Sequence, residues 1–413
     1  MSNEYPIAEY DVAIVGGGPA GALAAARLGA GGWDVLLFDE KLAWEKPCGG
    51  GVTHKALQRY PFLADAGSTC NLASDCELIS PSGQRVRFQL QHPVAIFSRL
   101  ALNGMLLERA RSAGPPVVIR NERVTRIAQT GDGWQLITPR RKYESSYLIL
   151  AAGARNPFRA QFLSPISPGD LMVTAGYFIP RESSPGDSSL MQIQFLQGIT
   201  GYIWVFPRAD HVSAGIAGKM GEISTGELRR ILEKWLDKNG FHTDGGRFYS
   251  HILPSFRAQT FETLEVCGEG WAMIGDSAGL VDPITGEGLY YALRSAELCA
   301  EALLAGRPED YRTQLAEEVL PELRLAARVA ARFYNGQVFG DSVLERMVAL
   351  TAQSASFRDL MSDLFAGIQG YGDLRARLYR ILPAVLKEGL AGTLRWPWNK
   401  IGGAEFAVDP LAK

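Results

Sequence analysis

YDVAIVGGGPAGALAAARLGAGGWDVLLFDE, residues 10–40, changes its hydrophobic period twice. The apolar run Val12 to Val15 has strand length and leads straight into glycines. Beyond Pro19 an Ala/Leu-rich stretch to about Gly29 is strongly helical. Val35 to Phe38 is a second short apolar run, so the segment reads strand, glycine turn, helix, strand: a βαβ unit. Gly16, Gly18 and Gly21 fit G-x-G-x-x-G. The first glycine permits the turn, the second lets a pyrophosphate approach the backbone, and the third lets helix and strand pack closely. A phosphate would sit at the helix N-terminus, drawn by unpaired N–H groups and the positive end of the helix dipole. At the end of the second strand Asp39 best fits the residue that binds adenosine ribose hydroxyls, with Glu40 as the alternative.

A chain of 413 residues suits one large or two modest domains. With 46% apolar and 21% charged residues, a globular fold is expected. The formal charge of −2 argues against a nucleic-acid partner. Five cysteines, Cys48, Cys70, Cys76, Cys267 and Cys299, form no metal-like CxxC pair, and free thiols in a reducing compartment are expected. The N-terminus has no secretory-signal pattern, and no apolar run approaches the roughly 18 residues of a bilayer span. A cytoplasmic protein, with room for peripheral membrane contact, is the expectation.

A second glycine turn lies far downstream in WAMIGDSAGLVDPITGEG, residues 271–288. A short apolar strand ends at Gly275-Asp276, and a loop leads to Gly286-Glu287-Gly288, after which apolar positions recur at helical spacing. Such a helix start can aim N–H groups at a redox ring that is negative when reduced. Residues 46–57, KPCGGGVTHKAL, place one thiol in the most deformable loop of the early chain. In GYIWVFPR, residues 201–208, the aromatics Tyr202, Trp204 and Phe206 alternate with a period of two and should form one flat wall on a strand face.

GGGPAG near the start, Arg99 in FSRLALNGMLLERA, AAGARNPFR at 151–159 and GDSAGLVDPITGEG at 275–288 together resemble the FAD-dependent para-hydroxybenzoate hydroxylase superfamily. Within it, the KPCGGG loop and GYIWVFPR are similar to the geranylgeranyl reductase family, which reduces prenyl-chain double bonds. The resemblance implies that Gly16, Gly18, Gly21 and Asp39 hold the ADP half of FAD and that Arg99 meets phosphate or ribitol. It also implies that Asp276 closes over the pyrophosphate and that Gly286 and Gly288 give backbone contacts to the isoalloxazine. Pro19, Ala20, Glu40, Cys48, Gly49, Val124, Ala152, Gly153, Gly275, Glu287 and Leu289 are the further cofactor-contact candidates. Cys48, Tyr202 and Trp204 are the candidate catalytic residues. Arg208 stands where relatives commonly carry lysine, keeping the charge but changing its shape.

The expected fold is α/β: a discontinuous Rossmann-like FAD-binding domain (1–70, 96–165, 262–305), an antiparallel β-sheet substrate domain (71–95, 166–261) and a C-terminal helical region (306–413). The expected reaction is hydride transfer from reduced FAD to an isolated prenyl alkene, with a proton delivered to the neighbouring carbon. Within the flavin motifs no His, Asp or Glu stands out as donor, which leaves Cys48, Tyr202 and bound water. No second G-x-G-x-x-G follows a strand, so electrons would come from transient NADPH or reduced ferredoxin. The main rival is a flavin monooxygenase or halogenase of the same fold. The W-x-W-x-x-P pattern with its lysine, usual in halogenases, is absent, and Ala152 stands where hydroxylases typically show aspartate. A further rival is a flavoprotein carrier that binds lipid or quinone without turnover. Residues 374–400, with Arg375, Arg377, Arg380, Lys387, Arg395 and Lys400 among leucines and Trp396 and Trp398, suit either a lid or a membrane interface.

Overall fold

The computed structural model describes residues 9–114, 116–338 and 340–394. Strand β1 (Glu9–Val15), helix α1 (Pro19–Ala30) and strand β2 (Val35–Phe38) form the unit read from the sequence. β1 lies parallel to β2 on one side and to Lys142–Leu150 on the other, and Val117–Arg120 and Trp271–Met273 extend the parallel array. A hairpin, Arg126–Thr130 with Gly133–Ile137, branches antiparallel from Lys142–Leu150. Two positions explain the sharp turn after β1. Gly16 has φ +111°, and a Cβ there would lie 2.4 Å from the Ala151 carbonyl oxygen. A Cβ on Gly21 would lie 1.9 Å from the Gly16 carbonyl oxygen, so only glycine lets α1 sit this close to β1. Small residues on α1 bring the helices Arg99–Arg111 and Leu289–Leu304 against it, and Leu23 and Leu28 are fully buried among them, each worth roughly 1.5–3 kcal/mol of transfer free energy.

The second sheet has eight strands, from Arg247–Pro254 at one edge to Gly51–Val52 at the other. It is antiparallel except where Leu190–Phe195 runs parallel to Cys70–Ile79. One face packs on the amphipathic helix Thr225–Lys238, which buries Leu228, Leu232, Trp235 and Leu236. Ser224 and Glu227 close its N-terminus as a reciprocal capping box. The opposite face packs on helices Val343–Gln353 and Ala355–Phe365, burying Met347, Leu360 and Met361 against strand residues such as Phe88 and Ile193. After Gly306 the chain is mainly helical, interrupted by a short pair of two-residue antiparallel strands, Gln337–Val338 and Asp341–Ser342, that periodicity did not suggest. The basic and aromatic candidates Arg395, Trp396, Trp398 and Lys400 lie outside the described residues. Among the described residues no helix is long and apolar enough to cross a membrane.

Candidate functional site

A cavity of about 960 Å³ runs between the two sheets and under the C-terminal helices. Its polar end is built on the glycine turn after β1. Gly18 caps α1 with no side-chain acceptor, and a Cβ on it would meet nothing within 4 Å. The first-turn N–H groups of α1 therefore face open space. Asp39 and Glu40 line this end, as does Val124. The Asp39 carboxylate accepts from the Gly17 N–H at 2.7 Å and from the Lys41 and Leu42 N–H groups at 2.8 and 2.6 Å, which holds it beside the turn. Gly16, Pro19, Ala20, Ala152 and Gly153 also line the cavity. Gly21 and Gly275 do not: both sit behind the wall, where they allow backbone and side chains to pack.

Arg99 is 3% exposed rather than a surface helix residue. It opens the helix Arg99–Arg111, and its Nε is buried with no hydrogen-bond partner while facing the cavity. His251, on the second sheet, likewise has an unpartnered buried Nε2. Burial, with Lys46 nearby, pushes its imidazole down to about 3, so it is neutral at physiological pH. Asp276 lines the wall and pairs with Lys46 at 3.4 Å.

The KPCGGG loop crosses the middle of the cavity, and Cys48 and Gly49 face it. Arg208, which the sequence left without a role, is fully buried and clamps the loop. One guanidinium nitrogen pairs with Glu45 and the other donates to the Cys48 carbonyl, which also accepts from Ser213 Oγ at 2.9 Å. Glu45 in turn accepts from the Arg99 N–H at 2.9 Å and from Ser98. One acid thereby ties the loop to the start of the Arg99 helix. Burial opposes charge on Glu45, but Arg208, Ser98 and two backbone N–H groups outweigh it and lower its pKa. At Cys48 burial is again overcome, by Arg99, Arg208 and the Gly50 N–H at 3.3 Å from Sγ, and the thiol pKa falls. No sequence signal joined Arg208 to Glu45; an arginine replacing lysine after an aromatic strand was the one hint.

Tyr202, Trp204 and Phe206 do share the cavity face of strand Gly201–Pro207. The wall is not flat, however. The Tyr202 and Trp204 rings meet edge to face at 61°, with centroids 6.1 Å apart, the arrangement ring quadrupoles favour. Beyond them Met191, Phe195, Phe333, Met347, Met361 and Phe365 make the far end apolar. Loop 282–288 forms the remaining wall, with Gly286 (φ +71°), Glu287, Gly288 and Leu289 facing the cavity. Three tyrosines from distant elements pin this loop: Tyr202 donates to the Thr285 carbonyl at 2.5 Å, Tyr334 to the Ile284 carbonyl at 2.5 Å, and Tyr371 to Asp282 at 2.8 Å. Glu287 accepts from Thr53 Oγ1 at 2.8 Å.

An open glycine turn at a helix N-terminus, two orphaned buried nitrogens and a long cavity fit a dinucleotide whose phosphates meet N–H donors and cations. Residues 10–162 match the family described as "Pyridine nucleotide-disulphide oxidoreductase". The chain is 27% identical to the geranylgeranyl diphosphate reductase of Synechocystis sp. over 323 residues, covering 71% of this chain and 75% of that one. It is 26% identical to digeranylgeranylglycerophospholipid reductase 2 of Methanothermobacter thermautotrophicus, covering 72% and 80%. Among solved structures, a geranylgeranyl bacteriochlorophyll reductase-like protein from Thermoplasma acidophilum superposes with a TM-score of 0.75 at 20% identity, covering 94% and 100%. The flavin-dependent brominase Bmp2 follows with 0.67 at 18%, covering 91% and 99%. Fold and glycine turns together define a FAD-dependent oxidoreductase. Within that class the chain is related to the geranylgeranyl reductases.

Proposed function

We propose that this protein saturates carbon–carbon double bonds of a prenyl chain of geranylgeranyl type. The observation that carries the reading is the continuity of one cavity from the α1 glycine turn to the apolar end under the C-terminal helices. A prenyl chain is long, flexible and apolar, and its site needs an apolar lining that excludes water. Gly16, Gly18, Asp39, Arg99, Asp276 and the backbone of Gly286 and Gly288 would hold FAD, and Gly21 would support the turn from behind. Bound there, FAD would supply the hydride equivalent, with NADPH or reduced ferredoxin as the electron source.

The protein's own part is placement and dryness. An unactivated alkene is a poor hydride acceptor, so the aromatic wall of Tyr202, Trp204 and Phe206 would orient the double bond and shield developing charge from water. The clamped Cys48 loop adjoins this wall, with Gly49 packed against Phe206 and the Cys48 carbonyl bonded to Ser213 on the neighbouring strand. Anaerobic incubation of the reduced protein with geranylgeranylated substrates, followed by mass spectrometry, tests the reading. A gain of two hydrogens per double bond is expected, and unchanged substrates across the series refute it. The brominase-like fold favours a second reading, an oxygen-using monooxygenase or halogenase. Substrate-linked oxygen consumption with an oxygenated or halogenated product would select it.

The substrate class also gives a role to the outer face of helix Tyr371–Leu394. Leu374 and Tyr371 line the cavity, while Leu378, Tyr379, Leu382 and Leu386 are exposed beside Arg375, Arg380 and Lys387. This basic, apolar stripe suits contact with an anionic bilayer that holds the substrate. Flotation with anionic liposomes is expected for wild type and lost in Leu382→Asp/Leu386→Asp; equal flotation removes the idea.

A further inference from the structure

The reaction proposed above needs a proton as well as a hydride, and that proton must come from a group at the aromatic end of the cavity. The three candidates visible in the sequence fare differently in the structure. Tyr202 uses its O–H to bond the Thr285 carbonyl, and burial raises its pKa further. Cys48 lies between Arg99 and Arg208, which lower its pKa and favour the thiolate over the thiol that carries the proton. Bound water has no fixed acidity or position of its own here, whereas a carboxyl group in the lining has both.

The carboxyl groups that line the cavity divide more sharply. Asp39 accepts from three backbone N–H groups, Asp276 faces Lys46, and Glu122 accepts from Thr138 and Tyr143. Asp282 accepts from Tyr371 and from the Ile284 and Thr285 N–H groups, and Glu322 accepts from the Tyr371 N–H. Glu287 is different. Like Glu122 and Asp282 it joins no ion pair among the described residues, but its carboxyl has one hydrogen bond where theirs have two or more, from the neutral hydroxyl Thr53 Oγ1, and it stands on the second glycine turn beside the aromatic wall. The nearby cation, Lys55, lies over the Tyr290 ring at 4.3 Å.

Its position is as informative as its partners. Glu287 stands between Gly286, where a Cβ would come within 2.7 Å of Tyr202 Oη, and Gly288. Through Thr53 it touches the chain just beyond the Cys48 loop. The carboxyl is thus at the seam where the second glycine turn, the Cys48 segment and the aromatic wall meet, all lining one cavity.

We propose that Glu287 is the catalytic acid that protonates one alkene carbon of the bound prenyl chain. The inference rests on the reductase reading. In the step, the alkene π bond breaks and two C–H bonds form: one from hydride supplied by the reduced cofactor, the other from the Glu287 proton. Glu287 would be left as carboxylate and take its proton back from solvent, and the two electrons spent would be replaced by the nicotinamide or iron–sulfur donor. The groups around it support a neutral resting form. Burial is the largest influence, Asp282 adds repulsion, Thr53 and Lys55 oppose both, and the balance lifts Glu287 to about 7. Tyr290 and Tyr291 on the following helix, with Tyr371 and Glu322 from the C-terminal side, add no cation.

The test combines single-turnover kinetics with infrared spectroscopy on the flavin-loaded protein and its Glu287→Gln variant. The variant should bind FAD and accept electrons from dithionite as wild type does, yet form saturated product about 10²–10⁴ times more slowly. The wild-type rate should fall as pH rises through about 7, with that limb missing in the variant. In the difference spectrum, a carboxylic C=O band belonging to Glu287 should be present at pH 5.5 and absent at pH 8.5. A variant rate within threefold of wild type, or no such band at pH 5.5, overturns the role and leaves the reductase reading standing. Wild-type protein that leaves every prenyl substrate unchanged overturns both, whatever the infrared result.

Discussion

Replacing Arg208 with methionine removes a buried cation that ties the Cys48 loop to Glu45. Arg208 is wholly buried and its partner Glu45 is 11% exposed. Deleting one member of a buried pair leaves the other charge without its counterion, at a cost of about 3–5 kcal/mol. Glu45 would keep its bonds from Ser98 and from the Arg99 and Leu100 N–H groups. The Cys48 carbonyl would keep Ser213. The expected loss is therefore at the low end, about 3 kcal/mol, a substantial part of an ordinary 5–15 kcal/mol stability. Urea unfolding at pH 7 measures it. The double variant Glu45→Gln/Arg208→Met should recover part of the loss, because no charge is then left unpaired. Arg208→Lys should not restore wild-type stability, since one ammonium cannot reach both Glu45 and the Cys48 carbonyl as a planar fork does. The same variant reports on Cys48. Without Arg208 the thiol loses one of the two cations that favour thiolate, so the pH midpoint of its alkylation by iodoacetamide should rise. A stability loss under about 1 kcal/mol together with an unchanged alkylation midpoint would refute the clamp.

Gly18 and Gly21 should part company although both belong to one motif. Gly18→Val places its side chain in open space, so melting temperature should hold while flavin absorbance per protein falls; Gly21→Ala meets backbone at 1.9 Å and should destabilise the fold itself. Arg99→Met should weaken FAD retention without unfolding the protein, read as flavin lost on gel filtration; full retention would show that the orphaned Nε does not meet the cofactor. Stability should also depend on Glu287. Its carboxyl keeps a proton to about pH 7 when folded and releases it near 4.5 when unfolded. The folded state thus binds the extra proton between those values, and stability declines as pH rises through the window. The decline is up to about 3 kcal/mol. Denaturant midpoints at pH 5 and 8 should show that difference in wild type and a smaller one in Glu287→Gln.

Legibility in the sequence followed how local each feature is. The β1–α1–β2 unit could be read because strand and helix periods, the proline at the helix start and the glycine spacing are all set within one short segment. The second turn and the alternation of Tyr202, Trp204 and Phe206 were equally visible. The tilt between the rings was not, since it depends on what packs around them. Gly21 and Gly275 show the same limit from the other side: their glycine requirement was legible, but whether they face the cavity or the packing behind it was not.

The sequence by itself determined a dinucleotide turn, a second glycine turn and a strand with one aromatic face, because backbone geometry and side-chain period depend on near neighbours. Tertiary structure alone decided that Arg208 meets Glu45, 163 positions away, and that Glu287 lies beside Asp282 with a hydroxyl rather than a cation for a partner. Charge state depends on burial and on every charge within a few ångströms, and those surroundings are assembled here from segments far apart in the chain.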